Sequence, residues 1–180
     1  MPVEEPISAD EDDLRVVVDA QIVLAMFLIR RDRPNTISAK RQLLNLLRLH
    51  TFHWLWTPDI IDDYVRGAEA IESDERITRR AKFDRIGFEL FLAALRLEPP
   101  IGISVTTMQN ARRRISQAPR AAERDLDDAI YLACAVDGEA HLLTTEDSDL
   151  RLLGDTYESV RIVNWTELRA TLVERGLTVK

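Results

Sequence analysis

The stretch LRVVVDAQIV, residues 14–23, decides the interpretation of the fold. Leu14–Val18 is apolar and β-branched without alternation, which is typical of a short strand buried on both faces. Asp19 follows directly, and Gln21–Ile29 is too long and too leucine-rich to continue the strand, so we predict a helix there. In a parallel sheet, sites form at the carboxyl ends of the strands, which is where this carboxylate falls.

Short apolar strands alternate with helices along the rest of the chain. Strands are predicted at residues 52–56, 101–105, 140–145 and 160–164, and helices at 36–50, 57–71, 75–97, 106–117, 125–138, 146–154 and 165–176. Thr57 is expected to cap its helix before Pro58, and Thr36 or Ser38 to cap the helix over 36–50. This order predicts an α/β fold with a mostly parallel sheet covered by helices on both faces.

Charge is distributed unevenly over the 180 residues. Residues 1–13 carry six acids and no base, whereas the remainder holds 24 bases and 25 acids, which together give the net charge of −7. We therefore predict an acidic disordered tail over 1–13 and a single domain over 14–180. Because the acidity lies in the tail, it is weak evidence against a nucleic-acid partner.

The remaining composition excludes several classes of protein. The single cysteine, Cys134, lies in the apolar run AIYLACAV, so we interpret it as a packing residue rather than a disulfide or zinc ligand. The sequence shows no signal peptide and no apolar stretch near the ~20 residues that span a bilayer. We expect a cytoplasmic protein with no membrane partner.

Acidic residues fall at two kinds of position where a site can form. Asp19 follows one predicted strand, and Asp147 and Asp149 follow another. Further acids stand near helix starts, namely Asp62, Asp63, Asp125, Asp127 and Asp128. If four carboxylates converge, pairs ~5 Å apart repel by roughly 3 kcal/mol at an effective dielectric near 20, so the cluster needs a cation or protons. Oxygen-only ligands suit Mg²⁺ or Mn²⁺, and the natural chemistry of such a site is phosphodiester hydrolysis.

Each of these acids also has a purely structural interpretation. Asp19 is placed to cap the helix that follows it, and Asp147 and Asp149 are placed to stabilise a helix N-terminus through the helix dipole. Asp127 or Asp128 would stabilise a helix N-terminus through the helix dipole. Asp63 is one turn before Arg66, so a surface ion pair between these two residues is an alternative role for Asp63.

Four motifs occur in the order found in PIN domains: VVVDAQIVLA, TPDIIDDYVRGAE, RDLDDAIYLACA and HLLTTEDSDLRLL. The chain resembles this family from about residue 14 to about residue 168. The resemblance implies a PIN-like three-layer sandwich and a metal-dependent nuclease acting on RNA, with Mg²⁺ or Mn²⁺ as cofactor. It implies catalytic roles for Asp19, Asp63, Asp128 and Asp147, with Asp149 as an accessory metal ligand; Asp62, Asp125 and Asp127 are the alternative acids.

The family also includes many toxins of toxin–antitoxin pairs, so the resemblance implies an antitoxin protein as partner and a homodimer. Two positions depart from the usual pattern. The first motif reads Asp19-Ala20-Gln21 where Asp-Thr-Asn or Asp-Ala-Asn is common, and Asp63 replaces a glutamate. These departures leave open an alternative, a weak or inactive PIN-like module that binds RNA or a protein partner.

Two basic segments are candidates for RNA contact. Residues 76–85 and residues 112–124 each hold five bases and one acid. We assign Arg112, Arg113 and Arg124 to RNA binding, as part of a rim that would bind phosphates beside the acidic site, and Arg124 borders the third acidic motif. The structural alternative is that both segments are solvated helix faces that balance nearby acids.

Overall fold

The fold is built on a central sheet of five strands in the order β3-β1-β5-β7-β6. The computed structural model describes residues 13–34, 38–49, 52–117 and 126–177, without the side chains of Leu126, Ser148 and Asp149. The strands are β1 (Arg15–Val18), β2 (Leu28–Arg30), β3 (His53–Leu55), β4 (Ala81–Phe83), β5 (Leu142–Thr144), β6 (Thr156–Tyr157) and β7 (Val160–Val163). β3, β1, β5 and β7 run parallel and β6 is antiparallel, which confirms the predicted mostly parallel sheet.

Helices cover both faces of this sheet, as predicted for a PIN-like three-layer sandwich. They are α1 (Ala20–Met26), α2 (Gln42–Arg48), α3 (Pro58–Ser73), α4 (Glu75–Thr78), α5 (Arg85–Leu95), α6 (Val105–Gln117), α7 (Ala129–Asp137), α8 (Ser148–Arg151) and α9 (Trp165–Glu174). Short 3₁₀ helices, Ala39–Arg41 and Leu126–Asp128, precede α2 and α7. None of the helices within the described ranges is both long and apolar enough to cross a bilayer.

Burial in the core explains why the residues before Asp19 form a strand. Val16, Val17 and Val18 are buried in the centre of the sheet. Helix α7 is buried from Ala129 to Ala135 and packs against β1 and β5. Cys134 lies within this buried helix, and burial raises the pKa of its thiol to about 12, which agrees with a packing role.

The helix predicted over residues 75–97 is wrong. The segment instead forms α4, then strand β4, then α5. Asp74 accepts a hydrogen bond from Arg76 N at 2.8 Å and so caps α4, and Asp84 accepts one from Gly87 N at 3.0 Å and caps α5. Phe83 in β4 is buried and contacts the rings of Phe27 and Phe88, so the strand between the two helices is anchored in the core by this side chain.

Two further predictions needed correction. The helix predicted over residues 21–29 ends at Met26, and Leu28–Arg30 form β2, which pairs antiparallel with β4 in a separate two-stranded ribbon. The strand predicted at 101–105 does not form. Ile101 N donates one hydrogen bond to Trp56 O at 2.8 Å, but Ser104 then caps the start of α6 by accepting from Thr107 N at 3.0 Å.

The helix caps were largely as expected. Thr57 caps α3 by accepting from Ile60 N at 3.2 Å, and Pro58 is its first residue. Ser38 caps the 3₁₀ turn before α2, while Thr36 lies outside the described residues. The predicted tail lies outside them as well, except Asp13, whose carboxylate is 3.0 Å from His53 Nε2.

Candidate active site

The candidate site is built around Asp19, which stands where β1 ends and α1 begins. Its carboxylate is buried, with 6% of the residue exposed. Thr145, directly after β5, donates its hydroxyl to Asp19 Oδ2 at 2.6 Å, and Gln21 N donates to Asp19 Oδ1 at 3.4 Å. The capping bond is longer than an ordinary N–H···O hydrogen bond and the Thr145 bond is short. Helix capping alone therefore does not account for the burial and hydrogen bonding of the Asp19 carboxylate.

Asp147 belongs to the same turn at the end of β5. Its backbone N–H donates to Thr145 Oγ1 at 2.8 Å, so Thr145 connects Asp19 to the start of the Asp147 segment. Because β1 and β5 are adjacent parallel strands with Val18 opposite Thr144, their carboxyl ends bring the two acids together. Asp149 lies in α8, and its side chain is outside the described part of the structure.

Asp63 reaches the same region from the second turn of α3. Tyr131 on α7 donates its hydroxyl to Asp63 Oδ2 at 2.6 Å, and Arg66 donates to Asp63 Oδ1 at 3.2 Å. The surface ion pair considered from the sequence therefore exists. The next residue, Tyr64, is fully buried and donates its hydroxyl to Val18 O, which fixes α3 against the end of β1.

Burial and neighbouring charges both act on the Asp19 carboxylate. The pKa of Asp19 is raised from 3.8 to about 6, first because burial disfavours the charged form. The hydrogen bonds from Thr145 and Gln21 oppose this rise, and the negative charges of Asp147 and Asp63 add to it. We call the carboxyl ends of β1 and β5 with Asp19, Asp63 and Asp147 the acid edge.

Asp128 ends the 3₁₀ helix before α7 and is linked to Asp63 through a shared cavity. It is half-buried and makes no side-chain hydrogen bond that caps α7, but it stands at the N-terminus of that helix, where the helix-dipole interpretation places it. It lines an open cavity of about 530 Å³ together with Asp63 and Arg112. The other residues lining this cavity are Asp59, Asp62, Arg66, Met108, Asp127 and Ile130.

The remaining predicted residues are distributed as follows. Asp62 and Asp127 are exposed at the cavity, and Asp125 lies outside the described residues. Arg112 lines the cavity, Arg113 is exposed on α6, and Arg124 also lies outside the described residues.

Sequence reasoning missed three supporting side chains. Thr145 and Tyr131 donate hydrogen bonds to Asp19 and Asp63, and Tyr64 fixes α3 against the end of β1, yet none of the three was selected. Thr145 had a usable signal, because it stands two residues before Asp147 at a strand end. Tyr131 had none, because its contact with Asp63 joins residues 68 positions apart.

The donor chemistry at the acid edge fits a hard divalent ion. The groups assembled there are carboxylates and hydroxyls, and the buried Asp19 would gain from a neighbouring positive charge. Among the side chains that the structure describes, which omit Asp149, no group of three or more His, Cys, Asp or Glu residues is arranged to hold a metal.

Comparison with known proteins identifies the family. A family model described as the PIN domain matches residues 15–149, which include Asp19, Asp63, Asp128 and Asp147. No curated protein and no solved structure gave a match. Because the match covers most of the chain, the protein belongs to the PIN domain family, whose members are generally nucleases.

Proposed function

We propose that this protein is an endoribonuclease that requires Mg²⁺ or Mn²⁺ and hydrolyses RNA phosphodiesters at the acid edge. The observation that carries this proposal is the state of Asp19. The Asp19 carboxylate at the end of β1 is held by Thr145, and its charged form is destabilised first by burial and then by two further carboxylates. Such an arrangement is costly in the free protein and becomes favourable when a cation is bound.

Asp19, Asp63, Asp128 and Asp147 would hold the ion, and Asp149 would assist. When bound, the ion supplies an activated water and offsets the charge that develops on the phosphate. Water would attack phosphorus in line and lose a proton, the bond from phosphorus to the 3′ oxygen would break, and that oxygen would take up a proton. The products are a 3′-hydroxyl and a 5′-phosphate.

Other side chains would position these groups. The Thr145 hydroxyl keeps Asp19 pointing into the site, and the Tyr131 hydroxyl does the same for Asp63. Arg66 and Arg112 lie at the cavity beside Asp63, where a guanidinium can meet a backbone phosphate. Arg113 on α6 and Arg124 are the other proposed RNA contacts.

Cleavage of a 5′-labelled, mixed-sequence RNA tests the proposal. We expect cleavage with Mn²⁺, none with EDTA, and none with the Asp19→Asn variant. Asp155→Asn is the matched control, because Asp155 is exposed beside β6 at the far edge of the sheet. Wild-type cleavage by Asp19→Asn, or cleavage that persists in EDTA, would refute the proposal.

A second candidate function is a binding module without activity. It is favoured by the engagement of Asp63 with both Arg66 and Tyr131, which occupies the second acid of the site. A protein of this kind would bind RNA or a protein partner in EDTA and leave RNA intact in Mn²⁺. The same cleavage assay, followed by RNA binding in EDTA, separates the two functions.

The toxin role, the antitoxin partner and the homodimer are part of the proposal through the family alone. If the protein is a toxin that cleaves cytoplasmic RNA, its expression alone should arrest growth and Asp19→Asn should not. Growth arrest by both forms would show that the toxicity does not come from the acid edge.

A further inference from the structure

Two arginine pairs that are distant in sequence lie together on the β2–β4 ribbon. Arg30 is opposite Ala81 in the antiparallel register, and Arg31 N donates to Arg80 O at 2.9 Å. The pairing creates a surface concavity of about 560 Å³, which we call the arginine concavity. Its lining consists of Arg30, Arg31, Asp32, Arg79, Arg80 and Ala81.

Positive charge dominates this concavity. Four arginines face one aspartate in its lining, and all four are exposed. Arg30 pairs with Asp32 at 2.7 Å and Arg79 with Glu75 at 2.9 Å. These exposed pairs exchange partners at little cost.

Two of the arginines carry a charge that no described carboxylate offsets. Arg31 donates its Nε to Thr78 O at 2.9 Å, which orients the guanidinium without neutralising it. Within the described ranges, neither Arg31 nor Arg80 forms an ion pair with a carboxylate. A guanidinium held this way is well suited to bind phosphate oxygens.

The arginine concavity lies apart from the acid edge. Helices α1 and α3 pack side by side, so closely that a Cβ on Gly67 would lie 2.5 Å from Leu24 Cδ1. α3 carries Asp63 near its start and ends at Ser73, just before α4 and β4. At 1.5 Å per residue the end of α3 at Ser73 is about 15 Å from Asp63, a separation that a polyanion of several nucleotides can span.

We propose that the arginine concavity is an RNA exosite, in which Arg31 and Arg80 bind backbone phosphates of a long substrate while another part of the same strand occupies the acid edge. The identity of the polyanion as RNA rests on the proposed function. The exosite would increase affinity for long RNA without reading its sequence. In this proposal the basic segment 76–85 contributes to RNA binding through β4 and the turn before it, which lie beside β2. It does not contribute through the face of a helix.

The first test is RNA binding in EDTA, where no cleavage occurs, as a function of salt. Each phosphate contact on a single strand contributes about 0.7 to the slope of log affinity against log salt. The double variant Arg31→Gln/Arg80→Gln should therefore lower the slope by about 1.4 on a 20-nucleotide RNA. Arg31→Lys/Arg80→Lys keeps both charges and should retain most of the slope.

The matched control removes two other exposed arginines, Arg48 at the end of α2 and Arg96 after α5. Arg48→Gln/Arg96→Gln makes the same change in net charge and should leave the slope unchanged. If both double variants lose the same amount of slope, the effect comes from net charge alone, and the exosite proposal is overturned. A wild-type slope in Arg31→Gln/Arg80→Gln would overturn it as well.

The second test compares cleavage of long RNA and of a trinucleotide with Mn²⁺. The glutamine double variant should lose about tenfold or more in kcat/KM on long RNA and little on the trinucleotide. Equal losses on both would show damage to the acid edge and overturn the exosite. If the wild type cleaves no RNA at all, the proposed nuclease function fails. If the wild type and the glutamine double variant cleave long RNA equally well, only the exosite proposal fails.

Discussion

Replacing Asp19 with asparagine should stabilise the metal-free protein at neutral pH. The pKa of Asp19 rises from 3.8 to about 6 on folding, because the carboxylate is buried near Asp147 and Asp63. The folded state therefore binds the proton more tightly than the unfolded state. Asp19 therefore does not lower the free energy of unfolding below pH 3.8. Its destabilising effect grows as the pH rises from 3.8 to about 6 and is complete above that range.

The size of this effect follows from the two pKa values. A difference of about two units corresponds to roughly 3 kcal/mol of destabilisation at pH 7.5. The asparagine side chain of the variant would keep an acceptor for the Thr145 hydroxyl and would forfeit only the long bond from Gln21 N at 3.4 Å. We therefore expect Asp19→Asn to gain about 2–3 kcal/mol, which is roughly 5–10 °C in Tm for a chain of this size.

Thermal melts in EDTA at pH 4 and pH 7.5 measure this difference. Asp19→Asn should melt higher than the wild type at pH 7.5, and the difference should shrink strongly at pH 4. Asp155→Asn, which changes an exposed carboxylate, should follow the wild type at both pH values within about 0.5 kcal/mol. An Asp19→Asn variant that melts below the wild type at pH 7.5 would refute the argument that the buried charge is a cost.

Three other changes test separate parts of the account. Tyr131→Phe removes the bond to Asp63, so cleavage should fall at least tenfold while the free energy of unfolding falls by only about 1–2 kcal/mol; unchanged cleavage would deny Tyr131 a positioning role. Thr145→Val removes a bond that lowers the pKa of Asp19, so that pKa, followed by carboxyl NMR in EDTA, should rise above its wild-type value, and a fall would contradict the assignment. Deleting residues 1–12 should leave the Tm nearly unchanged, and a loss of several degrees would contradict the predicted domain boundary.

Much of the fold could be predicted because its central strands are short, apolar and buried on both faces. Leu14–Val18 and residues 140–145 carry this pattern, and each is followed by an acid, so β1, β5 and the acid edge between them were accessible from local sequence. Thr57-Pro58 likewise marks the start of α3 through cap chemistry alone.

The β2–β4 ribbon could not be predicted in the same way. Each strand has three residues, and each is stabilised by a partner more than 50 positions away, so neither has a periodic signal of its own. Asp84 three residues before Gly87 was a cap signal inside the supposed long helix, and it marks the start of α5. The same non-local pairing conceals the arginine concavity, since Arg30–Arg31 and Arg79–Arg80 each look like ordinary surface charge.

The side chains that orient the acids were hidden for a related reason. Tyr64 and Tyr131 look like core residues in their helices, and both are buried. Their hydroxyl groups reach Val18 O and Asp63, contacts that depend on how α3 and α7 pack and not on either helix alone. Position in the sequence indicated which acids to consider, and only packing determined how each is held.

Titration of the protein with Mn²⁺, followed by electron paramagnetic resonance of the free ion, tests the central claim most directly. The claim is that the carboxylates of the acid edge exist to hold a divalent ion. The wild type and Asp155→Asn should bind Mn²⁺ with the same affinity and gain Tm on binding, and Asp19→Asn should lose both effects although it folds. Equal Mn²⁺ affinity in the wild type and Asp19→Asn would contradict the claim.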